Sequence, residues 1–565
     1  MSVDLNVTIG GEAGQGIQTI GDLLSQVCQQ AGLYVMTIND FESRIRGGHS
    51  FVQIRISDHE INAPRYAIHL LIALDRQTVL LHKDKLAPDG IILSVERVLP
   101  DVKSLLIVEF EKLAEQAGGK IVANTVAAGA GLGLLKAPFE IFKDILASRF
   151  GGKDSSVLEK NLKAAELGYQ AVANVDFQWA FKWIQGSAKG LLMNGSKAIA
   201  LGALAANCRF AAFYPMSPAT GVLQELTEMT ENYPFVVEQA EDEISAVNMI
   251  IGASFAGVRS ITSTSGGGFC LMTEGLGLAG ITETPIVIVN AQRPGPATGL
   301  PTRTAQGDLL FVIHSSQDEF PRFVFAPRTV NEAFYNTIRA FELSEKYQVP
   351  VIILMDQFLT DSVYLTGEKF EAPDWIQRFI ASDADLDDPK NYNRYTVTES
   401  GVSPRALPCM GMAIVQSSGN EHLEDGHISE DKINRVKMLN KRNAKITAMQ
   451  EEMNPPHGYF DDAGILLIGW GSSAGAIKEA VDLMRNKDID VGCLTFSDLW
   501  PFPAEKVISA IGKNKKCIAV ELNSTSQLKL LMRQQTGIDC SGSILKYDGR
   551  PLFPEDIVQE IDRFL

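Results

Sequence analysis

The segment covering residues 260–309 constrains the fold more than any other part of the chain. It reads SITSTSGGGFCLMTEGLGLAGITETPIVIVNAQRPGPATGLPTRTAQGDL. A β-branched run leads into Ser265 and a glycine triplet that begins with Gly266 and Gly267, and after a helix-compatible stretch Pro285 opens an apolar strand. The order strand, glycine turn, helix, strand and loop is typical of α/β domains, in which the loops beyond parallel strands bind ligands. A tight βα turn with an ordinary surface loop is the alternative that these features leave open.

Chain length and net charge limit the classes of protein to which this sequence can belong. A chain of 565 residues is too long for one hydrophobic core and predicts roughly three or four domains. Its net charge of −17 disfavours nucleic acid as a partner, because neutralising phosphates requires clustered lysine and arginine. No signal-peptide pattern opens the sequence, and the longest apolar runs have the length of buried strands. We therefore expect a cytoplasmic protein without a membrane span.

Cysteine and histidine usage argues against a metal centre in this chain. The seven cysteines are scattered and form no CxxC pair, which predicts reduced thiols without a zinc site or an iron–sulfur cluster. His422 and His427 have acids nearby in GNEHLEDGH, but their spacing does not place ligands on one face of one element. We expect no metal site here.

The alternation of strand and helix patterns divides the chain into four predicted parts, and the predicted fold class is multidomain α/β. Residues 1–175 and 194–385 each show the βα rhythm of an α/β domain. Residues 386–464 form an irregular insertion that ends in a helix with a basic face, and residues 465–565 form a compact α/β unit.

A glycine-rich turn follows the first predicted strand, in LNVTIGGEAGQGIQTIGDLL. Gly11, Gly14 and Gly16 follow the order GxxGxG rather than GxGxxG, which disfavours a nicotinamide dinucleotide site. Amide groups at a strand-to-helix turn can hold a phosphate, yet such turns also serve close packing. The sequence leaves both roles open.

The loop YPMSPAT lies between a short strand and a helix in the second predicted domain. Pro215 and Pro218 fix its course, and Ser217 and Thr220 stand on either side of the predicted start of the helix. Either hydroxyl can cap the helix, and either can bond a ligand. Spacing alone does not decide between these roles.

Four acids mark the beginning of the next predicted helix, Glu238, Glu241, Asp242 and Glu243. Acids in a first turn complement the helix dipole and are usually solvated. A carboxyl group that points instead into an apolar interface can share a proton with a ligand.

Several catalytic signatures are missing from the sequence. It contains no P-loop, no GxSxG, no HExxH and no kinase motif. It also lacks GDG followed about 25 residues later by Asn, the pattern expected for holding Mg²⁺ and thiamine diphosphate. If the chain belongs to an enzyme, a second chain supplies part of the active site.

Nearly the whole chain resembles the α subunit, in its γ–α fused form, of the 2-oxoacid:ferredoxin oxidoreductases. GGEAGQG, RGG and LLIALD are similar to the γ domain, YPMSPAT is similar to the family's YPITP loop, and residues 265–309 closely resemble its thiamine-pyrimidine-binding, doubly wound domain. The insertion with GVSPRALP and GNEH resembles the family's own, and the tail resembles the transketolase C-terminal domain. The most similar members are the KorA-type subunits of the 2-oxoglutarate enzymes.

The resemblance implies a thiamine diphosphate enzyme that cleaves a 2-oxoacid with coenzyme A and reduces ferredoxin. Some members of the family run in reverse and fix CO₂ in a reductive TCA cycle. The cofactor is expected between this chain and a β subunit that carries the diphosphate site, Mg²⁺ and a [4Fe-4S] cluster. An (αβ)₂ heterotetramer is the expected assembly.

The resemblance also implies roles for particular residues. Glu243 matches the carboxyl that activates the aminopyrimidine, with Glu241 in reserve. Arg303 matches the arginine that binds the substrate carboxylate, and Ser217 stands where the family usually has threonine. The remaining predicted substrate-binding residue is Thr220, and the predicted cofactor-binding residues are Tyr214, Pro215, Glu243, Ser265, Gly266 and Gly267.

Three alternatives remain at this stage. The first keeps the chemistry and replaces 2-oxoglutarate by pyruvate or a branched 2-oxoacid. The second is a non-catalytic assembly subunit, which would need neither Glu243 nor Arg303. The third, a nicotinamide-dependent dehydrogenase, is disfavoured by the order of the glycines at the first turn.

Overall fold

The computed structural model describes residues 3–42, 48–96, 105–152, 155–175, 177, 179, 183–367, 369–382, 386, 392–411, 413–512 and 515–565. Arg46 and Gly47, the first two residues of the RGG motif, lie outside this description. The chain forms two compact units. Unit 1 comprises residues 1–193, 362–369 and 553–555, and unit 2 comprises residues 194–361, 370–552 and 556–565. The four-part division of the sequence stays a prediction.

Unit 1 contains, in its described residues, a sheet of eight strands with helices packed against it. The strands are β1 (Asp4–Glu12), β2 (Tyr34–Asp40), β3 (His49–Ser57), β4 (Ile68–Ala73), β5 (Leu86–Ser94), β6 (Leu105–Ile107), β7 (Leu192–Met193) and β14 (Val363–Leu365). The helices are α1 (Ile17–Gln30), α2 (Arg76–His82), α3 (Phe110–Ala117), α4 (Ala123–Leu134), α5 (Phe139–Phe150) and α6 (Ser155–Ala171). The strand order is β6-β5-β4-β1-β3-β2-β14-β7. β1 lies parallel to β4 and antiparallel to β3, so the sheet is mixed.

The glycine-rich turn between β1 and α1 is shaped by close packing. Gly16 directly precedes α1 with φ 77°, a left-handed conformation that favours glycine. A Cβ atom on Gly16 would lie 1.8 Å from the side-chain nitrogen of Asn124, and one on Gly10 would lie 2.6 Å from Thr78. The packing role that the sequence left open is therefore present at both glycines. A phosphate-binding role for this turn stays a prediction.

Unit 2 contains the remaining strands and nearly all of the remaining helices. The strands are β8 (Phe210–Phe213), β9 (Val236–Gln239), β10 (Ser260–Thr264), β11 (Ile286–Gln292), β12 (Phe323–Phe325), β13 (Pro350–Asp356), β15 (His457–Tyr459), β16 (Ile465–Trp470), β17 (Val491–Phe496), β18 (Asp498–Trp500), β19 (Lys516–Glu521) and β20 (Gly542–Leu545). The helices are α7 (Gly195–Ala205), α8 (Thr220–Met229), α9 (Glu243–Phe255), α10 (Gly266–Ile281), α11 (Leu309–His314), α12 (Val330–Tyr347), α13 (Gln357–Asp361), α14 (Lys432–Glu452), α15 (Ser473–Arg485), α16 (Ala504–Ile511) and α17 (Gln527–Thr536), and α18 (Pro554–Glu560) follows near the chain end.

The larger sheet of unit 2 has, among the described residues, seven strands in the order β18-β12-β13-β11-β10-β8-β9. Each pair of neighbouring strands from β12 to β9 in this order is parallel. β18 is antiparallel to its neighbour β12, and Trp500 of β18 lies opposite Val324 of β12. Every residue of β11 and of β13 is buried, because helices cover both faces of this sheet. Their near-continuous apolar sequences follow from this burial.

A second sheet in unit 2 has five strands where the chain is described, in the order β15-β17-β16-β19-β20. β16 lies parallel to β17 and β19, and only β15 runs antiparallel. Apolar residues of the two sheets belong to one continuous core, which includes Ile288 and Leu354 as well as Leu466 and Ile468. The predicted multidomain α/β class is confirmed.

Helix α14 carries the basic face that the sequence predicted, but part of this face is buried. Lys441 donates to Glu283 at 2.6 and 2.8 Å, and Lys445 donates to the same carboxylate at 2.5 Å. Both lysines and Glu283 are almost fully buried. Arg394, from the insertion, donates to the Glu283 carbonyl oxygen at 2.8 Å. The insertion therefore packs on the end of α10 through buried ion pairs.

No helix in the described part of the chain is both long enough and apolar enough to cross a membrane.

Candidate functional site

The carboxyl-terminal edge of the parallel strands in unit 2 gathers the predicted site residues. Tyr214 and Pro215 follow β8, Ser265 follows β10, and Arg293 follows β11. The acids that open α9 come directly after β9. In open α/β sheets this edge is where ligands bind, because loops and helix amino termini converge there.

Glu243 is the first residue of α9, and its carboxyl group is buried. Asp242 caps the helix by accepting a hydrogen bond from the amide of Ser245 at 2.7 Å. Glu243 is only 2% exposed, whereas Glu238 and Glu241 are exposed. Glu243 Oε1 has no hydrogen-bond partner among the described residues. A buried carboxyl oxygen without a hydrogen-bond partner destabilises the folded protein. This position therefore suits a ligand that supplies the missing hydrogen bond.

The glycine triplet after β10 forms the first turn of α10 and not a separate loop. α10 begins at Gly266, and its N-cap residue Ser265 makes no capping hydrogen bond. A Cβ atom on Gly268 would lie 2.4 Å from Glu243 Oε1 and 2.2 Å from Thr264 Oγ1. Only glycine at position 268 therefore leaves room for the buried carboxyl of Glu243 beside this turn.

A second unpartnered oxygen lies at the same turn. Ser265 is fully buried, and its Oγ has no hydrogen-bond partner within the described ranges. Gly267 is exposed and Gly266 is partly exposed, so the first amides of α10 are open at this end. A helix amino terminus with a free hydroxyl and a buried carboxyl oxygen nearby is suited to a polar ligand that can donate a hydrogen bond to the carboxyl.

The YPMSPAT loop packs against the end of β10. Ser263 Oγ donates to the carbonyl of Ala219 at 3.4 Å, and Arg293 donates to the carbonyl of Ser217 at 2.6 Å. The N-cap residue of α8 is Ala219, without a side-chain capping bond, so neither Ser217 nor Thr220 caps the helix. Ser217 is exposed and Thr220 is partly exposed. Both side chains are therefore accessible to a ligand.

The loop from β11 to α11 is anchored at its far end by Asp308. Its carboxylate accepts from the Asn290 amide at 3.1 Å, and its backbone amide donates to Gln292 at 2.9 Å. A Cβ atom on Gly266 would lie 2.5 Å from Asp308 Oδ2, so this carboxylate lies against the first turn of α10. Burial raises the pKa of Asp308 above its ordinary value, and the hydrogen bond from Asn290 partly offsets the rise.

Gln306 fixes the middle of this loop, and the sequence reasoning missed it. Its side-chain amide donates to the carbonyl of Trp470 at 2.8 Å, and its backbone amide donates to the carbonyl of Leu522 at 2.8 Å. Asn523 donates to the Gln306 carbonyl at 3.0 Å, and Gln306 also bonds Asp356. The signal was available, because a polar residue inside a closely matching loop is a candidate for such anchoring.

Asp356, at the carboxyl end of β13, is a second buried acid that the sequence reasoning missed. It accepts from the amide of Leu359 at 2.9 Å and from the hydroxyl of Ser472. Burial raises its pKa to about 6, although these hydrogen bonds favour the ionised form. Asp356 thus joins the two sheets of unit 2 close to the anchored loop.

The structure brings some of the predicted residues into direct contact. Glu243 and the glycine turn are in direct contact, and the YPMSPAT loop reaches the same turn through Met216, whose sulfur lies 3.9 Å from Thr264 Oγ1. Arg303 lies farther along the loop and close to Gly549. A Cβ atom added to Gly549 would lie 3.2 Å from the Cβ atom of Arg303. Arg303 is partly exposed and borders the C-terminal part of unit 2.

The histidines of the insertion have structural contacts. Both ring nitrogens of His422 lie near backbone carbonyls, those of Leu423 at 2.9 Å and Ile281 at 3.2 Å. His427 pairs with Asp425 at 3.1 Å. Where the chain is described, no group of three His, Cys, Asp or Glu side chains is placed to hold a metal ion.

Three protein families match successive parts of the chain. Residues 201–441 match the family described as Pyruvate flavodoxin/ferredoxin oxidoreductase, thiamine diP-bdg. Residues 6–171 match Pyruvate ferredoxin/flavodoxin oxidoreductase, and residues 463–557 match Pyruvate:ferredoxin oxidoreductase core domain II. The site at the edge of the parallel sheet lies within the first of these matches.

Individual relatives are similar over most of their length. The chain is 32% identical to a 2-oxoacid:ferredoxin oxidoreductase subunit alpha from Sulfolobus sp, over 99% of this chain and 96% of the relative. It is 32% identical to the 2-oxoglutarate synthase subunit KorA of Methanothermobacter thermautotrophicus, over 65% of this chain and 97% of the relative. A solved 2-oxoglutarate:ferredoxin oxidoreductase from Magnetococcus marinus, with 2-oxoglutarate, coenzyme A and succinyl-CoA bound, matches with a TM-score of 0.92 and 30% identity over 99% of each chain.

Proposed function

Because the chain belongs to the α subunits of the 2-oxoacid:ferredoxin oxidoreductases, we propose that it acts with a β subunit on 2-oxoglutarate. The reaction is oxidative decarboxylation of 2-oxoglutarate with coenzyme A to succinyl-CoA and CO₂, and its two electrons pass one at a time to ferredoxin. The same reaction in reverse fixes CO₂. The observation that carries this proposal is the buried Glu243 carboxyl, whose Oε1 lacks a partner beside the open first turn of α10.

The residues at this edge fit the aminopyrimidine end of thiamine diphosphate. Glu243 and Ser265 each offer a buried oxygen without a hydrogen-bond partner in the described structure, and Gly268 leaves the space that a Cβ atom would fill. When bound, the cofactor supplies the electron sink that decarboxylation of a 2-oxoacid requires. Glu243 would hold the aminopyrimidine by a hydrogen bond at Oε1, and its carboxyl group would share a proton with a ring nitrogen. The carboxyl group itself is shielded from bulk water, because Glu243 is buried.

Four further residues complete the proposed cofactor site. Gly266 and Gly267 bring the backbone of the first turn of α10 close to the cofactor, since neither carries a side chain. Tyr214 and Pro215 are exposed directly after β8 and form the neighbouring wall. The order of these elements around one sheet edge supports their assignment to a common site.

Substrate binding is assigned to the loops above this edge. Arg303 binds the substrate carboxylate through its planar, bidentate guanidinium group. Ser217 and Thr220 present accessible hydroxyls on the opposite loop, whose course is held by the bond from Arg293 to the Ser217 carbonyl. The bound 2-oxoglutarate and coenzyme A of the Magnetococcus enzyme support these two molecules as substrates here.

A β subunit is assigned the diphosphate, Mg²⁺ and [4Fe-4S] sites, and the assembly is (αβ)₂. The sequence lacks the GDG pattern for Mg²⁺ and diphosphate, which supports a division of the site between chains. Apolar side chains next to Glu243 are exposed on α9 and α10, namely Ile244, Met249 and Leu271. An apolar surface around a catalytic group is suited to a partner that completes the site. Ferredoxin docks on the β subunit, because this chain at −17 repels an acidic protein.

Substrate choice is tested with the chain co-purified anaerobically with its β subunit. Coenzyme A-dependent viologen reduction is measured with 2-oxoglutarate, pyruvate and a branched 2-oxoacid. Arg303→Ala is expected to raise KM for 2-oxoglutarate by about 100-fold, roughly 3 kcal/mol of lost binding. Arg533→Ala is the control, because Arg533 is exposed and pairs only at the surface with Asp539 at 3.2 Å.

The outcomes separate the alternatives. A higher kcat/KM for pyruvate or a branched 2-oxoacid than for 2-oxoglutarate would contradict the substrate assignment and retain the reaction type. An unchanged KM in Arg303→Ala would contradict the role of Arg303. A complex that stays inactive with all three substrates after loading with thiamine diphosphate would favour a non-catalytic assembly subunit.

A further inference from the structure

A cavity of about 510 Å³ lies in unit 2 at some distance from the proposed active site. It is bounded by the end of α11 and the segment after it, by α14, by the end of β18 and the residues that follow, and by α17. Arg322 in its wall immediately precedes β12, which runs parallel to β13. The cavity therefore lies at the amino-terminal edge of the parallel sheet, opposite to the edge that carries Glu243. Its volume is in the range of small-molecule sites.

Arg322 is a buried cation without a carboxylate partner in the described part of the chain. It is 4% exposed, and its Nη1 donates to the carbonyls of Val312 at 3.2 Å and Ser315 at 2.7 Å and to the Ser315 hydroxyl at 2.8 Å. The guanidinium carbon lies 4.2 Å from the centre of the Phe320 ring. All of these hydrogen bonds use Nη1, so Nε and Nη2 make none to the residues that the structure describes, and the side chain lines the cavity.

Arg259 and Arg442 are buried arginines that differ from Arg322 in this respect. Arg259 pairs with Glu345 at 2.8 Å, and Arg442 pairs with Glu421 at 2.8 Å. For Arg322, burial alone lowers the pKa to about 10, with no carboxylate offsetting the shift. A buried charge without a counter-charge destabilises the folded protein, and an anion in the adjoining cavity would offset this destabilisation.

The remaining walls combine hydrogen-bond donors with apolar surface. The side-chain amides of Asn443, Gln450 and Gln535 line the cavity and make no hydrogen bond to any residue that the structure describes. Apolar walls come from the rings of Phe320 and Phe502, among others. This combination suits a ligand with an anionic group and an apolar body.

Two acidic side chains line the cavity, and their negative charges would oppose an anion unless they are neutralised or screened. Asp318 is neutralised by an ion pair with Arg435 from α14. Glu319 is exposed to solvent, where its charge is screened. Neither acid is paired with the guanidinium of Arg322 among the described residues.

We propose that this cavity binds a small organic anion, a carboxylate or phosphate on an apolar body, whose charged group pairs with Arg322. The inference does not depend on the proposed catalytic function, since the cavity and the Glu243 site lie at opposite edges of the sheet. The neighbouring amides of Asn443, Gln450 and Gln535 donate to the same anionic group.

Calorimetric titration of the full chain tests this proposal with three probes of similar size. Benzoate and phenyl phosphate carry the two anionic groups, and benzyl alcohol is their neutral counterpart. We expect saturable one-to-one binding of at least one anion, with benzyl alcohol weaker by about tenfold or more. Comparison of the two anions distinguishes a carboxylate site from a phosphate site.

Two matched variants test whether the anion binds in the cavity. Gln535→Glu adds a negative charge to the cavity wall, and Gln534→Glu adds the same charge to the exposed neighbouring position of α17. We expect Gln535→Glu to weaken anion binding by about tenfold or more and Gln534→Glu to leave it within about twofold. Arg322→Met is expected to abolish binding.

The proposal would be overturned by any of three results. The first is no saturable binding of either anion at millimolar concentration. The second is equal affinity for benzyl alcohol, which would show that the charge is irrelevant. The third is equal anion affinity in Gln535→Glu and Gln534→Glu, which would place the binding elsewhere. If Arg322→Met fails to fold, the glutamine pair still decides.

Discussion

At the scale of single residues, burial separates acids that the sequence cannot separate. Glu238, Glu241 and Glu243 occur within six positions, and all three suit the start of a helix. Only Glu243 is buried, because it is the residue of this group that faces the first turn of α10. The sequence could assign Glu243 a role only through the family resemblance. The structure provides the physical contrast that makes Glu241 a suitable control.

The space beside Glu243 depends on the missing side chain of Gly268. Gly268→Ala would place a Cβ atom 2.4 Å from Glu243 Oε1 and 2.2 Å from Thr264 Oγ1. We expect a loss of about 1–3 kcal/mol in the free energy of unfolding. Gly252→Ala is the control, because a Cβ atom there meets nothing within 4 Å and alanine should stabilise α9 by about 0.5–1 kcal/mol. Urea unfolding of both variants measures the difference, and equal stabilities would show that the contact is unimportant.

Asp356 predicts a pH dependence of stability. Burial raises its pKa to about 6 in the folded chain, above the 3.8 of an ordinary aspartate. Its protonated form therefore stabilises the fold below pH about 4, and this contribution, roughly 3 kcal/mol, is lost as the pH rises through about 6. Asp356→Asn should lose less stability than the wild type between pH 4 and pH 7, and the exposed Asp374→Asn should match the wild type. Parallel curves for Asp356→Asn and the wild type would contradict this assignment.

At the scale of elements, α14 illustrates what a charge pattern can and cannot predict. The sequence predicted a helix with a basic face, and a helix is present from Lys432 to Glu452. Lys441 and Lys445 are nevertheless buried, because Glu283 at the end of α10 compensates both charges. That partner lies far away in sequence, so no local pattern indicates it. Burial lowers the pKa of Lys445 to about 8, and Glu283 opposes the shift.

Removing the central acid of this cluster should be strongly destabilising. Glu283→Gln would leave Lys441 and Lys445 buried without a counter-charge, and we expect a loss of about 3–5 kcal/mol in unfolding free energy. Glu274→Gln, at an exposed position on α10, should change it by less than about 0.5 kcal/mol. Chemical denaturation of the two variants measures the effect. Similar midpoints would mean that the ion pairs contribute little to stability.

The strands and helices around the site were largely predictable, and their detailed boundaries were not. The apolar run after Pro285 is strand β11, as its buried composition predicted. The glycine triplet was expected as a turn, but α10 begins at Gly266. Glycine is a poor helix former, and here tertiary contacts with Glu243 and Asp308 outweigh that preference.

At the scale of the whole molecule, the family and the α/β class were predictable because long stretches of the sequence resemble the family's motifs. The residue type made Gln306 a candidate anchor of the loop from β11 to α11, but its partners were not predictable, since Trp470, Leu522 and Asn523 lie more than 160 residues away. The cavity at Arg322 was likewise not predictable, because four segments that are separate in sequence form it. Contacts of this kind depend on the fold and leave no local pattern.

The central claim is that Glu243 is the catalytic acid of a site that this chain shares with a β subunit. Its test is the rate of coenzyme A-dependent viologen reduction by the anaerobically purified complex with 2-oxoglutarate. Glu243→Gln is expected to reduce kcat by about 10²–10⁴-fold while the complex remains assembled, and the exposed Glu241→Gln is expected to stay within about twofold of the wild type. Full activity in Glu243→Gln, or equal losses in the two variants, would contradict the claim.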